Sequence, residues 1–254
     1  MNSVQINHFH RMGFLLVPNP MSRQEMVEIE ALQRQIEPEW EGADLPDRFN
    51  AGACQFLMMG ELLLRQAERP QLLEWARTLL ECEDIHIGAC GLGDASKIVA
   101  SDGRPQRQVH WHADGGPEVA QVAVRTALDV HGSDNGPLRI LPGSMVRPSE
   151  DVKEELRQIE LASGQYDQCP DLFFARHPSE IEVCLDPRWT LVWNPGTWHA
   201  TGVKVSEGPR RAMSWNYFPA GGRRRDCEAV KHFFAESWRA WSAERQRLWG
   251  LIDD

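Results

Sequence analysis

Apolar positions recur at helical spacing in the first third of the chain and at strand spacing over much of the rest. Ser22-Arg23-Gln24-Glu25 has the form of a capping box, and Met26, Ile29, Leu32 and Ile36 follow it on one helical face. This predicts an amphipathic helix. Pro70 suits the first turn of another, with Leu72, Leu73, Ala76, Leu79 and Leu80 as its apolar side. The segment before Pro70 reads as a further short helix. From about Ile85 the texture changes. Short apolar runs (Val119–Leu128, Leu138–Leu141, Thr190–Trp193, Met213–Phe218) are separated by Gly, Pro, Asp and Asn, the mark of strands joined by turns. The strand pattern breaks between Ser144 and Asp186. Val152, Leu156 and Ile159 predict a surface helix in the first half of that break, and the second half is irregular. A long insertion in a compact β domain suits a lid or binding loop. From Cys227 to Leu248, the residues Val230, Phe233, Phe234, Trp238, Trp241 and Leu248 predict one final helix packed outside the sheet. Helices, then strands, then a helix describe a mainly β two-sheet jelly roll with flanking helices. The expected organisation is a single domain over 1–254, with the insertion at 145–188.

Composition narrows the function. A formal charge of −10 opposes a phosphate-backbone partner, so nucleic acid is excluded. The same acidity is compatible with a neutral or cationic small substrate. No run approaches the roughly 18 apolar residues that span a bilayer, and the N-terminus lacks the features of a signal peptide. A cytoplasmic protein with no membrane partner is expected. The 6 cysteines show no C-x-x-C spacing and read as reduced, mostly buried thiols. Gly221-Gly222-Arg223-Arg224-Arg225 reads as a solvated hinge before the last helix. His8, His10, His86, His131, His177 and His232 read as surface or hydrogen-bonding residues.

The chemistry-bearing segment is Gln108-Val109-His110-Trp111-His112-Ala113-Asp114. Alternate residues of a strand share a face, so Gln108, His110, His112 and Asp114 are expected to point inward. His-x-Asp alone is a weak signal. A second histidine, His199, follows a turn in Trp193-Asn194-Pro195-Gly196-Thr197-Trp198-His199. Two histidines and a carboxylate form the facial triad of non-haem iron(II) oxygenases. That triad leaves room for a bidentate 2-oxo acid and for O2. Arg210 lies beyond His199, and an arginine fork is the natural partner of a distal carboxylate. Thr201 is placed to share it.

These blocks, in this order, resemble the phytanoyl-CoA dioxygenase family of 2-oxoglutarate oxygenases. The likeness runs through Phe9–Asn19, taken as the family's opening strand, His112-Ala113-Asp114, Thr126-Ala127-Leu128-Asp129, Asp134–Ser144, and His199 with Thr201 and Arg210. Residues 20–84 and 145–188 match poorly, and Met145 stands where many members carry histidine. The resemblance implies a double-stranded β-helix (cupin-like) core. It implies Fe(II) held by His112, Asp114 and His199, and 2-oxoglutarate held by Arg210 and Thr201. Arg125 is expected to face the pocket, against the cosubstrate's inner carboxylate or an acidic group of the substrate. Because Asp114 is present, halogenation is not expected. Relatives act on acyl-CoA thioesters, amino acids, compatible solutes and natural products, aminosugar glycosides among them. The reading adopted is oxidation, by hydroxylation or oxidative ring closure, of a small natural product. His110, Gln108, Trp111, Arg139, Ser214 and Asn216 are its candidate pocket residues, and Trp111, Trp198 or Trp215 is available for stacking. The alternatives are a cupin-type isomerase that does not use 2-oxoglutarate and a non-catalytic small-molecule-binding jelly roll.

Overall fold

The computed structural model describes residues 1–42, 48–94, 110–115, 119–165 and 172–252. It opens with a helix, α1 (Ser3–Met12), where the sequence pattern suggested strand from Phe9 onward. Only Phe9 of α1 is buried, so apolar spacing gives little sign of it. The signal is instead a capping box: the Asn2 side chain accepts from Gln5 N and the Gln5 side chain accepts from Asn2 N. Gly13 ends the helix at φ +88°, a conformation that favours glycine, and frees Phe14–Pro18 to form β1. The predicted box at Ser22 opens α2 (Arg23–Gly42), with Ser22 Oγ accepting from Glu25 N and the Glu25 carboxylate accepting from Ser22 N. Two short helices, α3 (Ala51–Met58) and α4 (Glu61–Ala67), precede α5 (Pro70–Leu80), which carries its proline in the first turn.

The strands are β2 (Ile85–Asp94), β3 (Val122–Ala127), β4 (Leu138–Ile140), β5 (Ile181–Val183), β6 (Trp189–Trp193), β7 (His199–Thr201) and β8 (Arg211–Pro219). They form two antiparallel sheets, ordered β1-β6-β3-β8-β2 and β5-β4-β7. β5 lies inside the segment read as irregular. Two of its three residues, Ile181 and Glu182, are exposed, which hides the strand from any alternation pattern.

The large sheet separates two environments. Val122, Val124, Met213, Trp215 and Tyr217 pack beneath the helices in the main core. Trp215 Nε1 donates to Tyr217 Oη at 2.8 Å, and that hydroxyl donates to the Ala67 carbonyl at 2.6 Å, tying sheet to α4. Removing such a ring from a core costs about 3–5 kcal/mol. Trp215 is thus a core residue and unavailable for stacking on a ligand. The opposite face carries Ala123, Arg125, Ala212, Ser214 and Asn216, and it closes against the small sheet through Leu138, Ile140 and Leu191.

The insertion carries the predicted helix as α6 (Ser149–Ala162). Its buried Val152 and Leu156 join Trp111, Leu141, Leu172 and Trp198 in a separate cluster. The tail is not one helix. It breaks into α7 (Cys227–Phe233), a 3-10 turn at Trp238–Ala240 and α8 (Ala243–Leu248). Ser242 causes the restart, its side chain accepting from Arg245 N. Among the described residues, no helix is long and apolar enough to cross a membrane.

Candidate metal centre and its cavity

His199 opens β7, and the chain at His112 runs beside it. His112 N donates to the His199 carbonyl and His199 N to the His112 carbonyl, each at 2.9 Å. This single antiparallel bridge brings the rings together, centroids 4.2 Å apart. Asp114 N donates to the Pro195 carbonyl at 2.8 Å, and the Asp114 carbonyl accepts from the Gln121 amide. One ligand atom from each of His112, Asp114 and His199 then lies within 4.8 Å of the others.

The hydrogen bonds of the two rings fix what they offer. His112 Nδ1 meets the His110 carbonyl at 2.7 Å, and His199 Nδ1 meets the Thr197 carbonyl at 2.9 Å. A carbonyl only accepts, so each Nδ1 carries a proton, which leaves Nε2 as the atom each ring can offer a metal. Burial, then the charge of His112, pushes His199 well below the usual histidine range, against the opposing pull of the Thr197 carbonyl. His199 is therefore neutral at physiological pH. Two imidazole nitrogens and one carboxylate suit ferrous iron.

The face of the large sheet beside this trio carries small residues in register, Gly91 opposite Ser214 and Gly93 opposite Ala212, with Arg125 across from Ser214 on the next strand. Their size leaves a cavity of about 420 Å³ that also takes in His112, Asp114, His199, Thr201, Arg210 and Arg225. Its buried wall residues, among them Ala123, Leu138, Trp193, Thr201 and Arg210, mark a closed end. Its exposed ones, Asn50, Asp114 and Arg225, mark an open end.

At the closed end Arg210 is 2% exposed, and its Nε donates to the Gly136 carbonyl. The turn at Ser133 and Asp134 delivers Asn135 to a bridge with Lys204, and Gly136 then seats the arginine. A Cβ at Gly136, where φ is +60°, would stand 3.0 Å from Arg210 Cδ and Nε. Asn135 Nδ2 donates to the carbonyls of Val130 at 2.7 Å and Pro209 at 3.1 Å, securing the residue before Arg210. Arg125 lines the same cavity with its Nε unpartnered among the described residues, and burial draws its pKa down to about 10. A buried guanidinium with an unmatched donor is costly without an acidic ligand.

Of the other anticipated pocket residues, Ser214 and Asn216 line the cavity. His110 and Trp111 do not, because segment 110–115 is no regular strand and its side chains do not alternate cleanly inward; Arg139 does not, because it alternates with the cavity-lining Leu138 on β4 and turns the other way. His110 is buried against Phe173. Trp111 is buried, its Nε1 donating to the Ala175 carbonyl at 2.9 Å. Arg139 grips Glu180 through Nε at 3.0 Å and Nη2 at 2.7 Å, and lies over the Trp111 ring. These three brace the insertion behind His112. Trp198 belongs to the same buried cluster. Gln108 lies outside the described residues, and no described residue of 145–188 lines the cavity.

Sequence reasoning missed two neighbours of the site. His131 is buried, its Nε2 donating to the Arg211 carbonyl at 3.0 Å, and burial followed by the charges of Arg125 and Arg210 lowers its pKa to about 3. Arg225, read as part of a hinge, reaches the open end of the cavity.

Comparison with known proteins identifies the family and the fold. The profile of the family described as "Phytanoyl-CoA dioxygenase (PhyH)" matches residues 9–212. Among solved structures, EctD from S. alaskensis with bound Fe superposes with a TM-score of 0.64 at 17% identity, covering 88% of this chain and 79% of that one. AviO1 from Streptomyces viridochromogenes Tue57 gives 0.63 at 17% identity, covering 87% and 96%. The non-heme alpha ketoglutarate dependent carbocyclase SnoK from nogalamycin biosynthesis gives 0.61 at 15% identity, covering 91% of each chain. No curated protein matches in sequence.

Proposed function

Because the chain belongs to the phytanoyl-CoA dioxygenase family, whose members are Fe(II)- and 2-oxoglutarate-dependent oxygenases, we propose that it oxidises an unactivated C–H bond of a small molecule in natural-product biosynthesis. His112, Asp114 and His199 hold the iron. Arg210 takes the distal carboxylate of 2-oxoglutarate with help from Thr201, and Arg125 takes the inner one. Iron, O2 and 2-oxoglutarate together supply the oxidising power. The chain's own residues do the rest. The carbonyls of His110 and Thr197 orient the two imidazoles. Burial of Arg210 and Arg125 strengthens their hold on a dianion by excluding water. The small side chains of the sheet face leave the substrate room beside the metal ligands.

One observation carries this reading: two histidines with Nδ1 held by backbone carbonyls, beside a carboxylate, in a cavity that Arg210 also lines. The natural-product assignment draws support from the kind of chemistry SnoK's description gives, a carbocyclase of nogalamycin biosynthesis. An anaerobic titration of the metal-free protein with Fe(II) and 2-oxoglutarate tests the cofactor roles. The visible iron-to-keto-acid charge-transfer band is expected. Arg210→Ala should weaken cosubstrate binding roughly 10²-fold or more, since it removes paired charge-assisted hydrogen bonds of about 1.5–3 kcal/mol each. Iron binding without the band would favour a cupin-type metalloenzyme. A His199→Ala variant that still bound iron as tightly would remove the triad.

A further inference from the structure

The cavity wall is charged opposite to the chain. Its described residues include the arginines Arg125, Arg210 and Arg225 against the single carboxylate of Asp114, on a chain of formal charge −10. Under the proposed function, Asp114 faces the metal, and Arg125 and Arg210 match the two carboxylates of 2-oxoglutarate. Arg225 is left over, at the open end.

Its guanidinium is held along one edge. Nε donates to Asp226 Oδ1 at 3.0 Å, and Nη2 donates to Asp226 Oδ2 at 2.7 Å and to the Cys90 carbonyl at 3.1 Å. Asp226 is buried and also accepts from Cys90 N at 2.9 Å, so the anchor is fixed to β2. Nη1 makes no hydrogen bond among the described residues, and the side chain remains 40% exposed. A rigid fork with a free pair of N–H groups is preorganised for an oxyanion, because little side-chain entropy is lost on binding. The same wall carries Asn50, Gly91, Gly93, Ser214 and Asn216, all small or polar.

We propose that the substrate is a small polar molecule bearing an oxyanion, a carboxylate or a phosphate, which docks on Arg225 Nη1 and lays the rest of the molecule along Gly91 and Ser214 toward His112, Asp114 and His199. The direction of this binding rests on the proposed function, which assigns the closed end to the cosubstrate.

The test uses three probes that share a polar body and differ in charge: glucose, glucuronate and glucose 6-phosphate. Each is titrated calorimetrically, without oxygen, into protein loaded with Fe(II) and 2-oxoglutarate. At least one acid should bind about tenfold more tightly than glucose, and which acid does so identifies the group as carboxylate or phosphate. Arg225→Gln should erase the preference while leaving the charge-transfer band in place, and Arg225→Lys should keep part of it. The proposal is overturned if glucose binds as well as both acids, if neither acid binds at millimolar concentration, or if a folded Arg225→Gln binds them like the parent. Should the parent form no charge-transfer band, the oxygenase reading fails by itself. Inorganic phosphate titrated into the metal-free parent and Arg225→Gln proteins then still reads the Arg225 site: about tenfold weaker binding to the variant supports it, and equal binding overturns it.

Discussion

Acidification from about pH 7 to pH 5 should destabilise this fold by about 2 kcal/mol through His131 alone. The ring is buried, donates to the Arg211 carbonyl, and sits near Arg125 and Arg210, so its folded pKa is pushed down to about 3. The unfolded chain restores a value near 6.5. As pH falls below about 6.5, the unfolded state takes up a proton that the folded state refuses. The contribution is therefore complete above that value and shrinks steadily as pH falls toward 3. Roughly 1.5 pH units of the change lie below the unfolded pKa, and each is worth about 1.4 kcal/mol, which gives the figure above. The measurement is urea unfolding at both pH values for the parent and for His131→Gln, which cannot titrate. Other groups contribute equally to both proteins and cancel in the difference. The parent should lose about 2 kcal/mol more than the variant. Equal losses would refute the argument, because they would mean that His131 accepts its proton in the folded protein despite burial and two neighbouring arginines.

Three further outcomes follow from the cavity and its supports. Gly136→Ala adds a Cβ at φ +60° and 3.0 Å from Arg210; it should cost about 1 kcal/mol or more in thermal unfolding and weaken 2-oxoglutarate binding although residue 136 touches no ligand. Unchanged cosubstrate affinity in that variant would separate Gly136 from Arg210. Arg125→Met removes an unmatched buried charge, so the ligand-free protein should be as stable as the parent or more so, while 2-oxoglutarate binds at least tenfold more weakly. A fall in both stability and affinity would show that Arg125 is a structural residue. Arg139→Met leaves the half-buried Glu180 with Arg176 at 3.1 Å and the His177 amide at 2.9 Å, and denaturant unfolding should register a loss of about 3 kcal/mol with the iron–oxoglutarate band intact. A loss below about 1 kcal/mol would show that Arg176 compensates fully.

The parts of this architecture that were legible in the sequence are those that short-range rules control. The Ser22 box, Pro70 in a first turn and the apolar strand runs each depend on residues a few positions apart, and each stands where the pattern put it. The His-x-Asp pair is local in the same sense, and His199 follows its own turn. Where the pattern failed, long-range packing decided. The segment expected to alternate as a strand, 108–114, is described from His110, where it bridges at His112 and is otherwise set by the insertion, whose Ala175 carbonyl takes the Trp111 indole and the Arg139 guanidinium. The tail divided because a serine hydroxyl capped a new turn within an otherwise helical apolar pattern.

Charge shows why a whole-chain property does not describe a site. The net value of −10 is compatible with a neutral or cationic substrate, yet the cavity wall carries three arginines and one carboxylate. Those arginines come from β3, from the loop before β8 and from the loop before α7, so residues far apart in the chain line one cavity. Arg125 faces Ser214 across β3 and β8, and Gly91 faces Ser214 across β2 and β8, so the row that opens the cavity spans residues 91–214 of the chain. No spacing rule in the linear sequence encodes such a row. Acidic groups elsewhere set the chain's total, but beyond roughly 8–10 Å in physiological salt their field is largely screened. What a ligand meets in the cavity is the local set, and that set is basic.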